Sequence, residues 1–181
     1  RRRQRQMCIR DRALEANTTA SNNTSVGFNC LSSNTTGTRN TAVGYGALED
    51  NATHNDNTCV GYNAGKEVIG NNNTAVGSES LDACTTGYEN TIVGAYTAHF
   101  ITTGNNNTIV GNWAGSYVST LTTGAQNVFL GAYNRASSGG VDNAGIIGYN
   151  NTDKGGNTFF AAYASASVSY THLRAHETIA D

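Results

Sequence analysis

No apolar run in this sequence approaches the ~20 residues that a membrane-spanning helix needs, and no secretion signal stands at its start. Charge is scarce, at 13% of residues, and proline is missing altogether. Few charges beside 21 glycines and an excess of Asn and Thr would suit a disordered chain. Val, Ile and Tyr nevertheless recur along the whole length, which argues for a folded chain of one domain's size. Signs of chemistry are equally thin. There is no Walker loop, dinucleotide fingerprint or Gly-Gly-x-Gly-x-Asp calcium repeat. Gly139-Gly140-Val141-Asp142 comes nearest to the last, once, and Gly44-Tyr45-Gly46 has no helix pattern behind it. Acidic residues such as Glu49, Asp50, Asp82 and Glu89 are scattered, whereas an active site needs converging groups. The expectation is a non-enzyme with no catalytic, cofactor-binding or metal residues.

The two ends explain one another. Gln6-Met7-Cys8-Ile9-Arg10-Asp11-Arg12 can be encoded by CAG ATG TGT ATA AGA GAC AGA, and the reverse complement of that string encodes Ser167-Val168-Ser169-Tyr170-Thr171-His172-Leu173. One DNA word read on opposite strands accounts for both, and it resembles the transposon-end adapter of sequencing libraries. Residues 1–12 and 167–181 are therefore set aside as adapter-derived. With them go Arg1, Arg2, Arg3 and Arg5, which otherwise suggest a nucleic-acid arm, and the apparent metal pair His172 and His176 with Glu177. Arg39, Lys66, Arg135 and Lys154 then face ten acidic residues, a net of −6. A mildly acidic surface argues against nucleic acid or an anionic membrane as partner. Cys8 leaves as well. Cys30, Cys59 and Cys84 remain, an odd set without metal spacing, and read as small buried apolar residues.

Between the flanks, residues 13–166 repeat. The unit Asn-Thr-x-Val-Gly begins at Asn23, Asn40, Asn57, Asn73, Asn90 and Asn107, with looser copies at Asn127, Asn143 and Asn157. The first six glycines are spaced 17, 17, 16, 17 and 17 apart, and the later intervals are 20, 17 and 13. Between units lie Thr35-Thr36-Gly37, Thr85-Thr86-Gly87, Thr102-Thr103-Gly104 and Thr122-Thr123-Gly124, each read as a turn whose glycine supplies a positive φ. Ala13-Leu14-Glu15 matches Ala47-Leu48-Glu49 in register. The array is thus already running at residue 13, and the chain reads as a slice of a longer one.

A 17-residue unit is too short for a helical-pair repeat, which takes about 33, and Asn, Thr and Gly disfavour helix. A coil of short strands and turns fits, so the fold class expected is all-β, a parallel β-solenoid or β-roll. Stacking coils ~4.8 Å apart pairs each strand with its equivalents. The nine anchor asparagines would then form an internal amide ladder. Several Asn-x-Thr triplets also match the glycosylation signal, which the repeat generates automatically. One strand column reads Val26, Val43, Val60, Val76, Val93, Val110, Leu130, Ile147, Phe160; its neighbour, on the opposite face, reads Ser25, Ala42, Cys59, Ala75, Ile92, Ile109, Phe129, Ile146, Phe159. Both faces are apolar or small, as in a strand buried on both sides. One face fills the coil. The other needs a cover, either further copies of the chain around a threefold axis or an extra wall of the same coil.

Units such as Asn40-Thr41-Ala42-Val43-Gly44-Tyr45-Gly46-Ala47-Leu48, separated by Thr-Thr-Gly turns, resemble two related families over nearly all of residues 13–166. One is the head of trimeric autotransporter adhesins, whose repeats form a left-handed parallel β-roll. The other is the shaft of phage tail fibres, often followed by a self-cleaving chaperone domain of the endosialidase type. The resemblance implies an elongated homotrimer, extracellular and outer-membrane-anchored or carried on a virion tail fibre. It would bind a host-cell surface, extracellular matrix or glycan receptor, without nucleic acid and without membrane insertion in this segment. The 17-residue period is longer than the usual adhesin-head repeat. No anchor, coiled-coil stalk or chaperone domain is present to separate the two families.

Three classes of function follow. A structural or adhesive fibre is favoured. A carbohydrate-processing, tailspike-like β-helix would want paired carboxylates in a groove, and an ice-binding solenoid would want a regular threonine face, which Ala52-Thr53-His54 and Ser137-Ser138-Gly139 interrupt in the Thr-Thr columns. His54 and His99 read as solvated loop residues. Tyr62, Tyr96, Trp113 and Tyr133, on segments after the glycines, are the candidates for receptor contact if they are not packed between coils.

Overall fold

The computed structural model describes the backbone of residues 7–9, 12–116, 121–163 and 166–170, with side chains described within 12–116 and 121–161. Arg1, Arg2, Arg3, Arg5, His172, His176 and Glu177 lie outside the described residues. The strands are β1 (Met7–Ile9), β2 (Thr24–Val26), β3 (Thr41–Val43), β4 (Thr58–Val60), β5 (Thr74–Val76), β6 (Thr91–Val93), β7 (Thr108–Val110), β8 (Val128–Leu130), β9 (Gly145–Gly148), β10 (Phe159–Tyr163) and β11 (Ala166–Tyr170). They form one sheet in sequence order. Neighbours from β1 to β10 are parallel, and β11 folds back antiparallel on β10. Parallel neighbours need a crossover of a dozen or more residues. Here that crossover is the rest of each coil, so the chain winds as a β-solenoid.

Both terminal segments pair with this array: Met7 with Thr24, and Ser167 with Ala162. An open strand edge is a template for any backbone, so this pairing follows from the edge itself.

The anchor register is as the spacing predicts for seven rungs: Thr24, Thr41, Thr58, Thr74, Thr91 and Thr108 are partners in series, then Val128. The inward column is the middle residue. Ser25, Ala42, Cys59, Ala75, Ile92, Ile109, Phe129 and Ile146 are all fully buried. From Ser25 to Ile109 this column grows along the chain, and the residue six positions later shrinks to match. Ser25, Ala42 and Ala75 are followed by Leu31, Leu48 and Leu81; Ile92 and Ile109 are followed by Ala98 and Gly115. A Cβ on Gly115 would meet Ile109 Cδ1 at 3.2 Å, and one on Gly65 would meet Cys59 Sγ at 2.5 Å. The leucines adopt left-handed backbone, φ 49 to 56° at Leu14, Leu31, Leu48 and Leu81. That conformation costs each roughly 1 kcal/mol, which burial of about 1.5–3 kcal/mol offsets.

Three expectations need correction. First, the amide ladder has seven members, not nine. Asn40, Asn57, Asn73, Asn90, Asn107 and Asn127 each donate a backbone N–H to the Oδ1 of the preceding ladder asparagine, at 2.8 to 3.1 Å. Each Nδ2, from Asn23 onward, donates to a carbonyl of the next turn, such as Gly104 O from Asn90 at 2.9 Å. The next position is Ala144, whose N–H still reaches Asn127 Oδ1 at 2.9 Å. Asn143 and Asn157 occupy the left-handed position before it and bond each other instead, Nδ2 to Oδ1 at 2.8 Å. Second, the last copy is shifted by one residue. Phe160 lies in the buried column opposite Ile146, Ala161 opposite Ile147 and Phe159 opposite Gly145. Gly145 has no side chain, and that vacancy admits the Phe159 ring, 2.7 Å from where a Cβ would stand. Third, the Thr-Thr-Gly glycines do not supply the positive φ. It falls two residues later, at Arg39, Glu89, Asn106 and Gln126. These glycines are required by close approach: a Cβ on Gly87 would lie 2.4 Å from Gly104 O. The anchor glycines need both, with φ of 131 to 142° from Gly27 to Gly111.

Candidate functional site

The strand is buried on one face only. Each middle residue is inside, and the flanking Thr and Val point outward. Val76, Val93 and Val110 are 37%, 36% and 37% exposed beside a fully buried Ile92. No extra wall of the coil covers this face among the described residues. Of the thirteen exposed large apolar side chains among the described residues, ten lie in the Thr column, the Val column or the position after the anchor glycine: Phe28, Tyr45, Tyr62, Val76, Val93, Val110, Val128, Ile147, Tyr149 and Phe159. Among the described residues no charged side chain occupies those three columns. Contiguous apolar surface of this kind marks an interaction site.

The threonines of the two regions differ in what their hydroxyls do. In the turns, Thr18, Thr35, Thr85, Thr102 and Thr122 donate to carbonyls of the next rung at 3.0 to 3.3 Å. On the strand face, Thr24, Thr41, Thr58, Thr74, Thr91 and Thr108 form an unbroken column that leaves its hydroxyls facing outward.

The aromatic candidates separate into two columns. Tyr62 belongs with Phe28 and Tyr45 in the position after the glycine, ring centroids 5.3 Å apart in succession. Tyr96, Trp113 and Tyr133 sit one residue later, in left-handed backbone at φ 55 to 59°. Tyr96 stacks on Trp113 at 4.6 Å, and Tyr133 meets Tyr149 edge-on at 5.6 Å. Phe28, Tyr45 and Tyr149 were not singled out by sequence reasoning. Their common offset of one residue from an anchor glycine is the signal that finds them.

One corner, on the coil after the strand, gathers charge. His99 is a half-buried residue there, not a solvated loop residue. Its backbone N–H donates to Ser116 Oγ at 2.6 Å, and its Nδ1 lies 3.2 Å from the Glu79 carbonyl oxygen. Asp82 Oδ2 and Glu79 Oε2 stand 3.9 and 4.0 Å from the same nitrogen. Burial pushes the Asp82 carboxyl above its ordinary range; His99 and Lys66 oppose the shift, Glu67 and Glu79 add to it. Asp82 Oδ1 is buried without a hydrogen bond.

The other singled-out residues are structural in their contacts. The His54 carbonyl accepts from Asn40 Nδ2 at 2.8 Å, and its N–H donates to Asn51 Oδ1 at 3.0 Å. Glu49 accepts from Asn29 Nδ2 at 3.3 Å. Asp142 Oδ1 accepts from the Ala125 N–H at 2.7 Å, while Asp50 and Glu89 lie on the outer coil. Cys30, Cys59 and Cys84 are buried. Burial raises both the Cys59 and Cys84 thiols, the latter to about 11, which keeps them protonated and unreactive. Among the described residues no group of three or more His, Cys, Asp or Glu side chains could hold a metal ion, and no helix is long and apolar enough to cross a membrane. No family model, curated protein or solved structure matches the chain significantly.

Proposed function

We propose that residues 13–166 are a structural and adhesive segment of a surface fibre, an adhesin head or tail-fibre shaft, in which three copies of the chain meet on the strand face. The observation that carries this reading is the uncharged apolar stripe running rung after rung along one side of the rod. A soluble monomer rarely leaves such a surface open, and identical chains side by side cover it with minimal adjustment. The assembly is extracellular or virion-borne in this reading and presents its outer coils to a receptor. Sedimentation equilibrium tests it directly: a trimer is expected, and a stable folded monomer at micromolar concentration overturns it. Val93→Lys places a charge in the middle of the stripe without disturbing a buried contact. The variant should keep the β-sheet circular dichroism of the parent and sediment as monomer.

A second reading is favoured by one observation, the unbroken outward threonine column with valine two residues on. A regular hydroxyl and methyl lattice of this kind suits an ice surface. Thermal hysteresis in the wild type, lost in Thr74→Leu, would select this reading over the fibre.

A further inference from the structure

We propose that the side-chain amides of Asn22, Asn72 and Asn106 are acceptor sites for N-linked sugar on the folded rod. These asparagines lie outside the three columns of the apolar stripe, so the modification does not depend on the assembly proposed above.

The coil sorts the Asn-x-Ser/Thr triplets of residues 13–166 by what each amide is already doing. Asn23, Asn34 and Asn51 are buried. Their Nδ2 groups donate to the carbonyls of Gly37, Gly37 and His54 at 2.7, 3.1 and 3.4 Å. Asn17 is half-buried, and its Oδ1 accepts from the Ala20 N–H at 3.0 Å. Arg135 holds the triplet that starts at Asn150, donating to Asn150 Oδ1 at 3.1 Å and to Thr152 Oγ1 at 2.7 Å. Asn22, Asn72 and Asn106 are left, and all three are exposed. The one side-chain hydrogen bond they make among the described residues is Asn106 Nδ2 to Asn105 Oδ1, at 2.9 Å on the surface.

These three share one place in the rung, the residue before the ladder asparagine. The repeat itself supplies the buried Asn that follows and the outward Thr two residues on, Thr24, Thr74 or Thr108. It does not require Asn in the first place. Arg39, Asp56, Glu89 and Gln126 stand there in other rungs, and all seven residues hold a φ of 56 to 62°. Where Asn is present, amide and hydroxyl are offered together on either side of a buried residue, which completes the acceptor signal on the surface. Glu89 separates Asn72 from Asn106, so those two lie two rungs apart, about 9.6 Å, with room for a sugar on each. In the transfer, Nδ2 bonds to the anomeric carbon of a sugar carried on a diphosphate. The carbon–oxygen bond to the phosphate breaks, its electron pair leaves with the diphosphate, and the proton lost from nitrogen passes to a base of the transferase. An amide nitrogen is a weak nucleophile because its lone pair is shared with the carbonyl. The transferase must therefore grip the amide, and only one released from the bonds of the coil can be gripped.

The test is incubation of the full folded chain with UDP-glucose and a soluble asparagine glucosyltransferase, followed by mass mapping of its peptides. Hexose is expected on Asn22, Asn72 and Asn106 and absent from Asn23, Asn34 and Asn51. The same reaction on tryptic peptides of the chain should modify Asn34 and Asn51 as well, because the coil no longer buries them. Thr74→Val removes the hydroxyl two residues after Asn72 and keeps the branched shape of an outward strand residue. This variant should retain the sheet circular dichroism of the parent, lose the sugar at Asn72 and keep it at Asn106. If it fails to fold, Thr108→Val gives the converse pattern. A folded chain that takes no hexose, or takes it at Asn34 or Asn51, overturns the assignment. So do peptides that spare Asn34 and Asn51, or a Thr74→Val chain still modified at Asn72.

Discussion

The side-chain amide is the residue on which this fold depends most. Asn90 makes four bonds: Oδ1 accepts from the Asn107 N–H at 3.0 Å and from Asn107 Nδ2 at 3.1 Å, and Nδ2 donates to Gly104 O at 2.9 Å and to Asn73 Oδ1 at 3.1 Å. Asn90→Ala leaves a buried N–H and a buried carbonyl without partners, at about 1–3 kcal/mol each. The expected loss is about 3 kcal/mol or more, measured as a fall in the urea midpoint. The exposed asparagine just before the next ladder position, Asn106, should tolerate alanine within about 1 kcal/mol. The sequence made the ladder legible because its asparagines recur at near-constant spacing. It hid the end of the ladder. Asn143 is an asparagine at almost the right interval, and only the pairing of Ile146 and Ile147 reveals that Ala144 holds the ladder position. The His99 corner was hidden for a different reason. Glu79, Asp82 and His99 belong to no repeated column of like residues, and the positions they share across rungs become visible only once the coil path is known.

At the scale of the element, the strand with its following turn behaves as a volume-matched unit. Ala42 precedes Leu48 and Ala75 precedes Leu81, whereas Ile92 precedes Ala98. The backbone at the second position is nearly constant, φ 51° at Leu48, 53° at Leu81 and 50° at Ala98, so the site that takes leucine in one rung should take it in another. Ile92→Ala removes buried volume and should cost about 2–4 kcal/mol. Ala98→Leu alone overfills the rung and should cost about 1–3 kcal/mol. The double variant recreates the Ala42–Leu48 pair and should recover more than half of the summed loss, a coupling that a thermodynamic cycle measures directly. The two apolar strand columns were readable from sequence, and which of them faces inward was not. Ser25 and Ala42 look less like core than Val26 and Val43. The assignment depends on the compensation six residues later, which has no meaning until the chain is known to close a coil.

For the molecule as a whole, the solenoid makes stability a sum of rungs and of contacts between neighbouring rungs, with few interactions reaching further. Hydrogen bonds bear this out: Asn90 reaches Asn73 on one side and Asn107 on the other. An entire rung should therefore be removable. Deleting residues 74–90, one 17-residue period, joins Asn73 to Thr91 and restores the Asn-Thr-Ile-Val-Gly unit across the junction. Asn73 Oδ1 would then accept from Asn107, as it now does from Asn90 at 3.1 Å. The shortened chain should keep its sheet circular dichroism and melt within a few degrees of the parent, since the loss is one rung among many. Deleting 74–81 instead removes the strand and leaves the following turn out of phase, so each later Asn misses the carbonyl it serves. That chain should lose cooperative melting, although it is missing fewer residues. If the shorter deletion were the better tolerated of the two, the stacking of equivalent side chains from rung to rung would not be what holds the rod together.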